Sequence, residues 1–277
     1  MFKLEKRPQQ SQKWIYLSPF LAVIITMISG GILFAILGEN PFEAIRIIFW
    51  DPLFDPNFAS YSRPQLLVKA GPLILIAIGL SFGFKAGVWN IGAEGQYIMG
   101  AIFGASLALA FYPMESKLIF PLMIIAGALG GFLWGMIPAF LKAKLNTNEI
   151  LVSLMLVYVA ESILASVSQG LLKNPDGYGF PGSRNLQKYE SAANVEIISN
   201  SGMHWGVLFA FITVIFSYIV LTRHIQGFNI QLTGEAPRAA KFAGVNPTAN
   251  IVFCLGISGA LAGLAGMFEV AGPSGQI

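Results

Sequence analysis

Residues 118–141, LIFPLMIIAGALGGFLWGMIPAFL, contain no charged side chain. A hydrocarbon core about 30 Å thick needs roughly 20 such residues in a helix rising about 1.5 Å per residue. The stretch is therefore long enough to cross a bilayer. Its Gly127, Gly131 and Gly135 fall at small-xxx-small spacing, which lets helix backbones approach closely where packing, not water exclusion, drives association.

Six more stretches repeat the pattern: Ile15 to Leu37, Leu66 to Phe84, Tyr97 to Tyr112, Ile150 to Gly170, Trp205 to Leu221 and Ile251 to Val270. The last carries Gly259 and Gly263, again four apart. Of the 277 residues, 55% are hydrophobic and 11% charged, against roughly 25% charged in a soluble domain. Unpaired backbone groups cost several kcal/mol in lipid, so the spans are helices, or broken helices shielded by protein. The expected fold is all-α, a polytopic transmembrane helical bundle of about seven spans. Its surroundings are a lipid bilayer, and no nucleic-acid partner is expected.

The single Cys254 lies in an apolar stretch, leaving no disulfide framework and no cysteine-based metal site. Met1 to Lys13 is short and basic. The apolar run after it is too long for a signal-peptide core and lacks a small-x-small cleavage site, so it reads as a retained first span.

Cytoplasmic connections retain Lys and Arg. With the N-terminus inside, Lys3, Lys6, Arg7, Lys13, Lys85, Lys142, Lys144, Arg223, Arg238 and Lys241 are cytoplasmic. Arg46, Arg63, Lys69, Lys117, Lys173, Arg184 and Lys188 are then external. The inside loops are also shorter in total, which favours this orientation. The resulting layout is a cytoplasmic segment 1–14 and a membrane domain 15–277, with external loops 38–65 and 171–204 and a cytoplasmic segment 223–248. Pro41 to Trp50 suits a helix lying at the interface. Lys173 to His204, rich in turn formers, reads either as a solvated connector or as a surface receiving a partner. Ala271 to Ile277 follows a span directly with no polar tail, as in a C-terminally truncated chain.

Lys85 to Gln96 leaves almost no room for a loop between two spans, yet holds Asn90, Glu94 and Gln96. Irregular backbone at membrane depth is tolerated where it is buried in protein or lines a wet cavity, as in transporters. Asn90, Glu94 and Gln96 are therefore candidates for a substrate path. A tight cytoplasmic turn with Glu94 capping the next helix is the plainer alternative. Glu161, an ionisable residue inside a span, joins them as a group expected to face the bundle interior or a water-filled path, with Tyr158 one turn earlier. Lys69 reads as snorkelling to the headgroups and Glu269 as reaching the interface. At Lys142 to Glu149, Asn148 is placed to cap a helix whose first turn carries Glu149.

Gly227 to Pro247 is cytoplasmic in this scheme. Glu235 to Ala243 reads as a short helix with Pro237 in its first turn and Gly244 as its stop. Ala239, Ala240 and Ala243 form one small-residue face, with Phe242 as an apolar knob. A helix this short is marginal alone and needs a groove, which a soluble partner can supply.

Ala239-Ala240-x-x-x-Gly244 resembles the core of the coupling helix in permeases of bacterial ATP-binding-cassette importers. Asn90-Ile91-Gly92-Ala93-Glu94-Gly95-Gln96, Thr147-Asn148-Glu149-Ile150, Pro181-Gly182-Ser183 and Ala239 to Val245, in this order, resemble the branched-chain amino acid and simple-sugar permease family. The nucleoside and simple-sugar subgroup fits best, over roughly Gln65 to Ile277. Glu235-Ala236-Pro237 departs from the family pattern by placing a proline in the coupling segment, and family members continue for further spans. The resemblance implies a type II importer-like permease of the bacterial inner membrane, multi-pass, conducting a nucleoside or simple sugar. It implies separate ATPase subunits holding ATP and Mg, an extracytoplasmic solute-binding protein and a second permease chain, identical or related. Glu235, Arg238, Ala239, Ala240, Phe242 and Gly244 would serve ATPase coupling.

No catalytic residue, metal or cofactor of the chain's own is expected, and no Gly-x-x-x-x-Gly-Lys-Ser/Thr phosphate loop is present. An ion-coupled secondary transporter is the competing class, since broken helices and buried carboxylates serve it too. Gly256-Ile257-Ser258-Gly259 raises an intramembrane serine protease, but both histidines, His204 and His224, lie outside the spans.

Overall fold

The computed structural model describes residues 11–198 and 201–277. Lys3, Lys6 and Arg7, placed in the cytoplasm from sequence, lie outside the described residues. Among the described residues every regular element is helical, and six helices are long and apolar enough to cross a membrane. The chain divides into two units, 1–63 and 64–277.

In the first unit, helix α1 (Gln12–Ile36) has only 6% of its most apolar stretch buried. Its hydroxyls turn back on the helix itself: Thr26 Oγ1 donates to the Ala22 carbonyl at 2.8 Å and Ser29 Oγ to that of Ile25 at 2.5 Å. These two hydroxyls are thus satisfied within the helix, as suits a lipid-facing position. The expected interfacial helix is three short pieces, α2 (Pro41–Ile45), a π-helical turn Arg46–Trp50 and α3 (Asp51–Phe54). Asn40 caps the first, accepting from Phe42 N at 3.1 Å and Glu43 N at 3.4 Å, and Pro41 occupies the first helical position. Arg46 pairs with Asp51 across the π turn at 3.1 Å.

The second unit takes most of helix α4 (Ala59–Lys85), followed by α5 (Ala93–Ala110), α6 (Ile119–Leu145), α7 (Glu149–Gln169) and α8 (Trp205–Arg223). After them come α9 (Ile225–Glu235), α10 (Pro237–Phe242) and α11 (Pro247–Ala271). Helix α5 occupies the remaining expected span, the Tyr97 stretch. Its first turn carries Glu94 and Gln96, so by length and composition alone it falls outside the six most apolar helices. It is sheltered by protein instead, packed against α6 and α11.

That trio meets backbone to backbone. A Cβ on Gly263 would stand 2.8 Å from the Gly131 Cα, and one on Gly131 would stand 2.7 Å from the Gly263 nitrogen. Glycine is thus required there by contact, in accord with the small-xxx-small spacing. Helix α11 is the most enclosed of the spans, with 61% of its most apolar stretch buried. Among its described residues, the 171–204 connection is tied down at several points. Ser183 N donates to the Ile277 carbonyl at 3.0 Å, Leu186 N to that of Gly275 at 2.6 Å and Asn194 N to that of Ala271 at 2.8 Å, while Leu186 and Ala192 are fully buried. It straps the C-terminal end of α11.

Candidate functional site

Helix α4 stops at Lys85, and residues 88–92 run without helical structure before α5 begins at Ala93. Their backbone groups must find other partners. Val88 N donates to the Gly83 carbonyl at 3.0 Å, Ile91 N to Ser153 Oγ on α7 at 3.2 Å, and Gly92 N to Asn90 Oδ1 at 3.1 Å. The break is therefore built in and pinned to a neighbouring helix.

Asn90 is 5% exposed and Gln96 1%. Asn90 Nδ2 donates to Gln96 Oε1 at 2.8 Å and to Ser258 Oγ on α11 at 2.9 Å, and Gln96 Nε2 returns a bond to Asn90 Oδ1 at 3.3 Å. A buried amide left unpaired costs about 1–3 kcal/mol, so this closed knot holds the break against α5 and α11. Two of the expected path residues are thus brought together and occupied with each other. Ser258, read from sequence only as a protease motif, is their third member. Its partner is an amide, not a histidine.

The other two path residues lie elsewhere. Glu94 is exposed in the first turn of α5. Glu161 is also exposed, one turn from the exposed Tyr158 on α7. Of the two placements expected for Glu161, the bundle interior or a water-filled path, its exposure removes the first within this chain and leaves the second. The spacing on α7 turns Glu161 away from Ser153, Val157 and Ala160, which are buried. Glu149 instead is enclosed, pairing with Lys142 at 2.9 Å, while Asn148 caps α7 through Ile150 N at 3.0 Å. Lys69 and Glu269 do not merely snorkel. They pair with each other at 3.4 Å, joining α4 to α11.

The segment after α8 holds two helices where one was expected. Glu235 closes α9, accepting from Gln231 Nε2 at 2.8 Å, and does not open α10. The cause is Pro237, which pushes the preceding Ala236 out of the helical region to φ −147°, ψ 72°. At the other end Gly244 N bonds to the Lys241 carbonyl at 3.1 Å and Val245 N to that of Ala240 at 2.9 Å, with Gly244 at φ +79°. That is a Schellman stop, which needs glycine at the left-handed position. Ala240 is fully buried, so the small-residue face is split. Arg238, Ala239, Phe242 and Ala243 point outward, Phe242 with 96% of its surface free.

Helix α9 ties α10 to the bundle. Asn250 on α11 donates to Thr233 Oγ1 at 2.9 Å and to the Asn229 carbonyl at 3.2 Å, and accepts from Gln226 Nε2 at 3.0 Å. Lys85 Nζ caps the Leu221 carbonyl at 3.3 Å. Gly234 packs directly on Gly87, at the start of the break. Neither Asn250 nor the glycine contact was foreseen. The polar Asn250 inside a span's first turn was the one available signal.

Comparison with known proteins adds a family to this geometry. Residues 63–277 match the model of a family described as branched-chain amino acid transport system, permease component. A glucose ABC transporter permease protein of Haloferax volcanii is 31% identical over 275 residues, covering 95% of this chain and 70% of that protein. A nucleoside ABC transporter permease protein of Lactococcus lactis is 29% identical over 257 residues, covering 91% and 69%. A guanosine ABC transporter permease protein of Bacillus subtilis is 27% identical over 258 residues, covering 91% and 71%. No solved structure matches.

Proposed function

The chain belongs to the family of branched-chain amino acid transport system permease components, and from that premise we propose that it is the membrane-embedded permease subunit of an ATP-binding-cassette importer for a nucleoside or simple sugar. Relatives named for glucose, nucleosides and guanosine support the solute class. The bundle sits in the bacterial inner membrane with its N-terminus in the cytoplasm. ATPase subunits hold ATP and Mg and grip α10. An extracytoplasmic solute-binding protein meets the opposite end, and a second permease chain, identical or related, completes the path.

The observation that carries this reading is α10 itself. Six residues are too few to persist undocked, and the helix presents Phe242 and Ala239 outward as a knob and its seat. Glu235, Arg238 and Gly244 frame it, and Ala240 anchors it inward. A push on α10 passes through α9 to the Gly234 and Gly87 contact, and from there to residues 88–92 and the Asn90 knot. In this conformation Asn90 and Gln96 are locked together, so they border the path only when the knot opens. Glu94 and Glu161 lie on exposed flanks that a second permease chain would cover.

The test is a reconstituted complex of this chain with the ATPase and binding protein encoded beside it. Phe242→Cys should crosslink to the ATPase, and solute should stimulate ATP hydrolysis. Vesicles carrying this polypeptide alone and moving solute down an ion gradient, without nucleotide, would overturn the proposal in favour of ion-coupled transport.

A further inference from the structure

At the end of the bundle away from α10, a cavity of about 220 Å³ is lined by Gln65, Val68, Gln187, Asn194, Glu196, Gly202, His204, Gly272 and Pro273. Its distance from α9 follows from α8, whose 19 residues separate His204 from His224 by about 30 Å at about 1.5 Å per residue. The permease function so far derived makes no use of it.

His204 is 2% exposed and caps α8 through Nδ1, which accepts from Gly206 N at 3.1 Å and lies 2.9 Å from Asn194 Nδ2. Nδ1 therefore carries no proton, and the neutral ring holds its hydrogen on Nε2. That Nε2–H is buried and finds no acceptor among the described residues. An orphan buried donor costs about 1–3 kcal/mol and is rare without a purpose.

The remaining lining is rich in acceptors. Gln65 commits one amide hydrogen to the Ser201 carbonyl at 3.3 Å, and Gln187 one of its own to that of Gly272. Their Oε1 atoms accept from no donor among the described residues, and the Glu196 carboxylate is exposed with no ion pair among them. Asn194 is saturated by Trp205 N, at 3.2 Å, and the Phe268 carbonyl, also at 3.2 Å. Neutral donors beside several carbonyl oxygens and a carboxylate, with no cation among the lining residues, disfavour an anion. They suit hydroxyl groups, each of which donates to an oxygen while its own oxygen can accept from an N–H.

We infer that this cavity is a binding site for one polyhydroxylated ring, either a simple sugar or the ribosyl part of a nucleoside, with His204 Nε2–H and the Glu196 carboxylate as its recognition groups. Its volume falls below the roughly 300–1,000 Å³ of sites for drug-sized ligands, so it encloses one ring, and the base of a nucleoside would lie outside it. The choice of a sugar or ribosyl ring rests on the permease reading, while the unpaired His204 donor and the oxygen-rich lining are what place it in this cavity.

The test titrates the full chain in nanodiscs, with no nucleotide or partner, following the fluorescence of the adjacent Trp205. D-ribose, D-glucose, uridine and free uracil are the probes. Saturable binding of uridine and of at least one of the two sugars is expected, with none for uracil. Binding of both sugars marks a general sugar site, and of ribose alone a ribosyl site. His204→Phe should weaken binding roughly tenfold, the worth of one lost buried hydrogen bond. Glu196→Gln, on an exposed loop and safe for folding, should weaken it in the same direction. No saturable binding of ribose, glucose or uridine, equal binding of uracil, or unchanged affinity in a folded variant would overturn the inference. ATP-driven uptake by the reconstituted complex is scored separately, so either conclusion can fail while the other stands.

Discussion

Gly234 on α9 lies so close to Gly87 that a Cβ on Gly234 would stand 2.9 Å from the Gly87 nitrogen and 3.0 Å from the Ala86 carbonyl carbon. Both neighbours are backbone, so neither can turn aside. The end of α9 and the start of the broken segment are therefore one mechanical contact.

Gly234→Val should force that contact apart. Membrane insertion should persist while solute-stimulated ATP hydrolysis drops to the unstimulated rate, and amide exchange should rise across residues 86–92. Full stimulation in the variant would sever the link between α10 and Asn90.

Phe242 and Ala240 should separate docking from folding. Phe242→Asp touches nothing in its own chain, so stability should change by no more than about 0.5 kcal/mol while co-purification with the ATPase is lost. Ala240→Glu, placing a charge at a fully buried position, should instead lower the thermal midpoint of the isolated chain. Equal midpoints for the two variants would mean that α10 does not seat through Ala240.

Ser258→Ala removes one acceptor from the Asn90 knot and should cost about 1–2 kcal/mol in unfolding free energy. Asn90→Leu strands Gln96 and the Gly92 N–H together and should cost more. Equal losses in denaturant titrations would argue that the knot is not cooperative.

Burial, and then the Lys69 ammonium, push His204 down to about 4. The folded chain thus holds the ring neutral, and protonation favours the unfolded chain. The contribution to stability is complete above about pH 6.5, the usual histidine value. It declines as pH falls from there towards 4, by up to about 3 kcal/mol in total. Thermal midpoints measured between pH 7 and pH 4 should fall more steeply for the wild type than for His204→Gln.

The Lys142 and Glu149 pair clips the end of α6 to the start of α7, and the carboxylate side chain is only 9% exposed. Lys142→Ala should cost about 3 kcal/mol by leaving that charge uncompensated, and adding Glu149→Gln should recover much of the loss. A double-mutant cycle by denaturant unfolding measures the coupling.

Hydropathy marked the long helices, because their apolar length is a property of each stretch alone. Caps were equally local. Asn148, Pro237 and Gly244 sit where their side-chain or backbone chemistry placed them, and the glycine spacing marked α6 and α11 each as a close-packing helix without saying that they meet each other. What escaped depended on partners distant in sequence. Nothing near Asn90 announces Ser258, and Lys69 finds Glu269 only once α4 and α11 are packed. Glu161 could not be placed between the bundle interior and a water-filled path from sequence, because which face of α7 is buried depends on its neighbours. Helix α9 was missed because Gly227, Asn229 and Gly234 lower its intrinsic propensity. Contacts of Gly227, Ile230 and Thr233 with the bundle override that preference.

Around Gly131, Gly259 and Gly263 the seam between α6 and α11 is made of main chain on both sides, with glycines where other helices carry side chains. A surface without rotamers has no intermediate settings: it stays shut or it parts. The α5, α6 and α11 trio therefore behaves as a fixed chassis, and whatever travel the molecule performs is left to the parts hung on that frame.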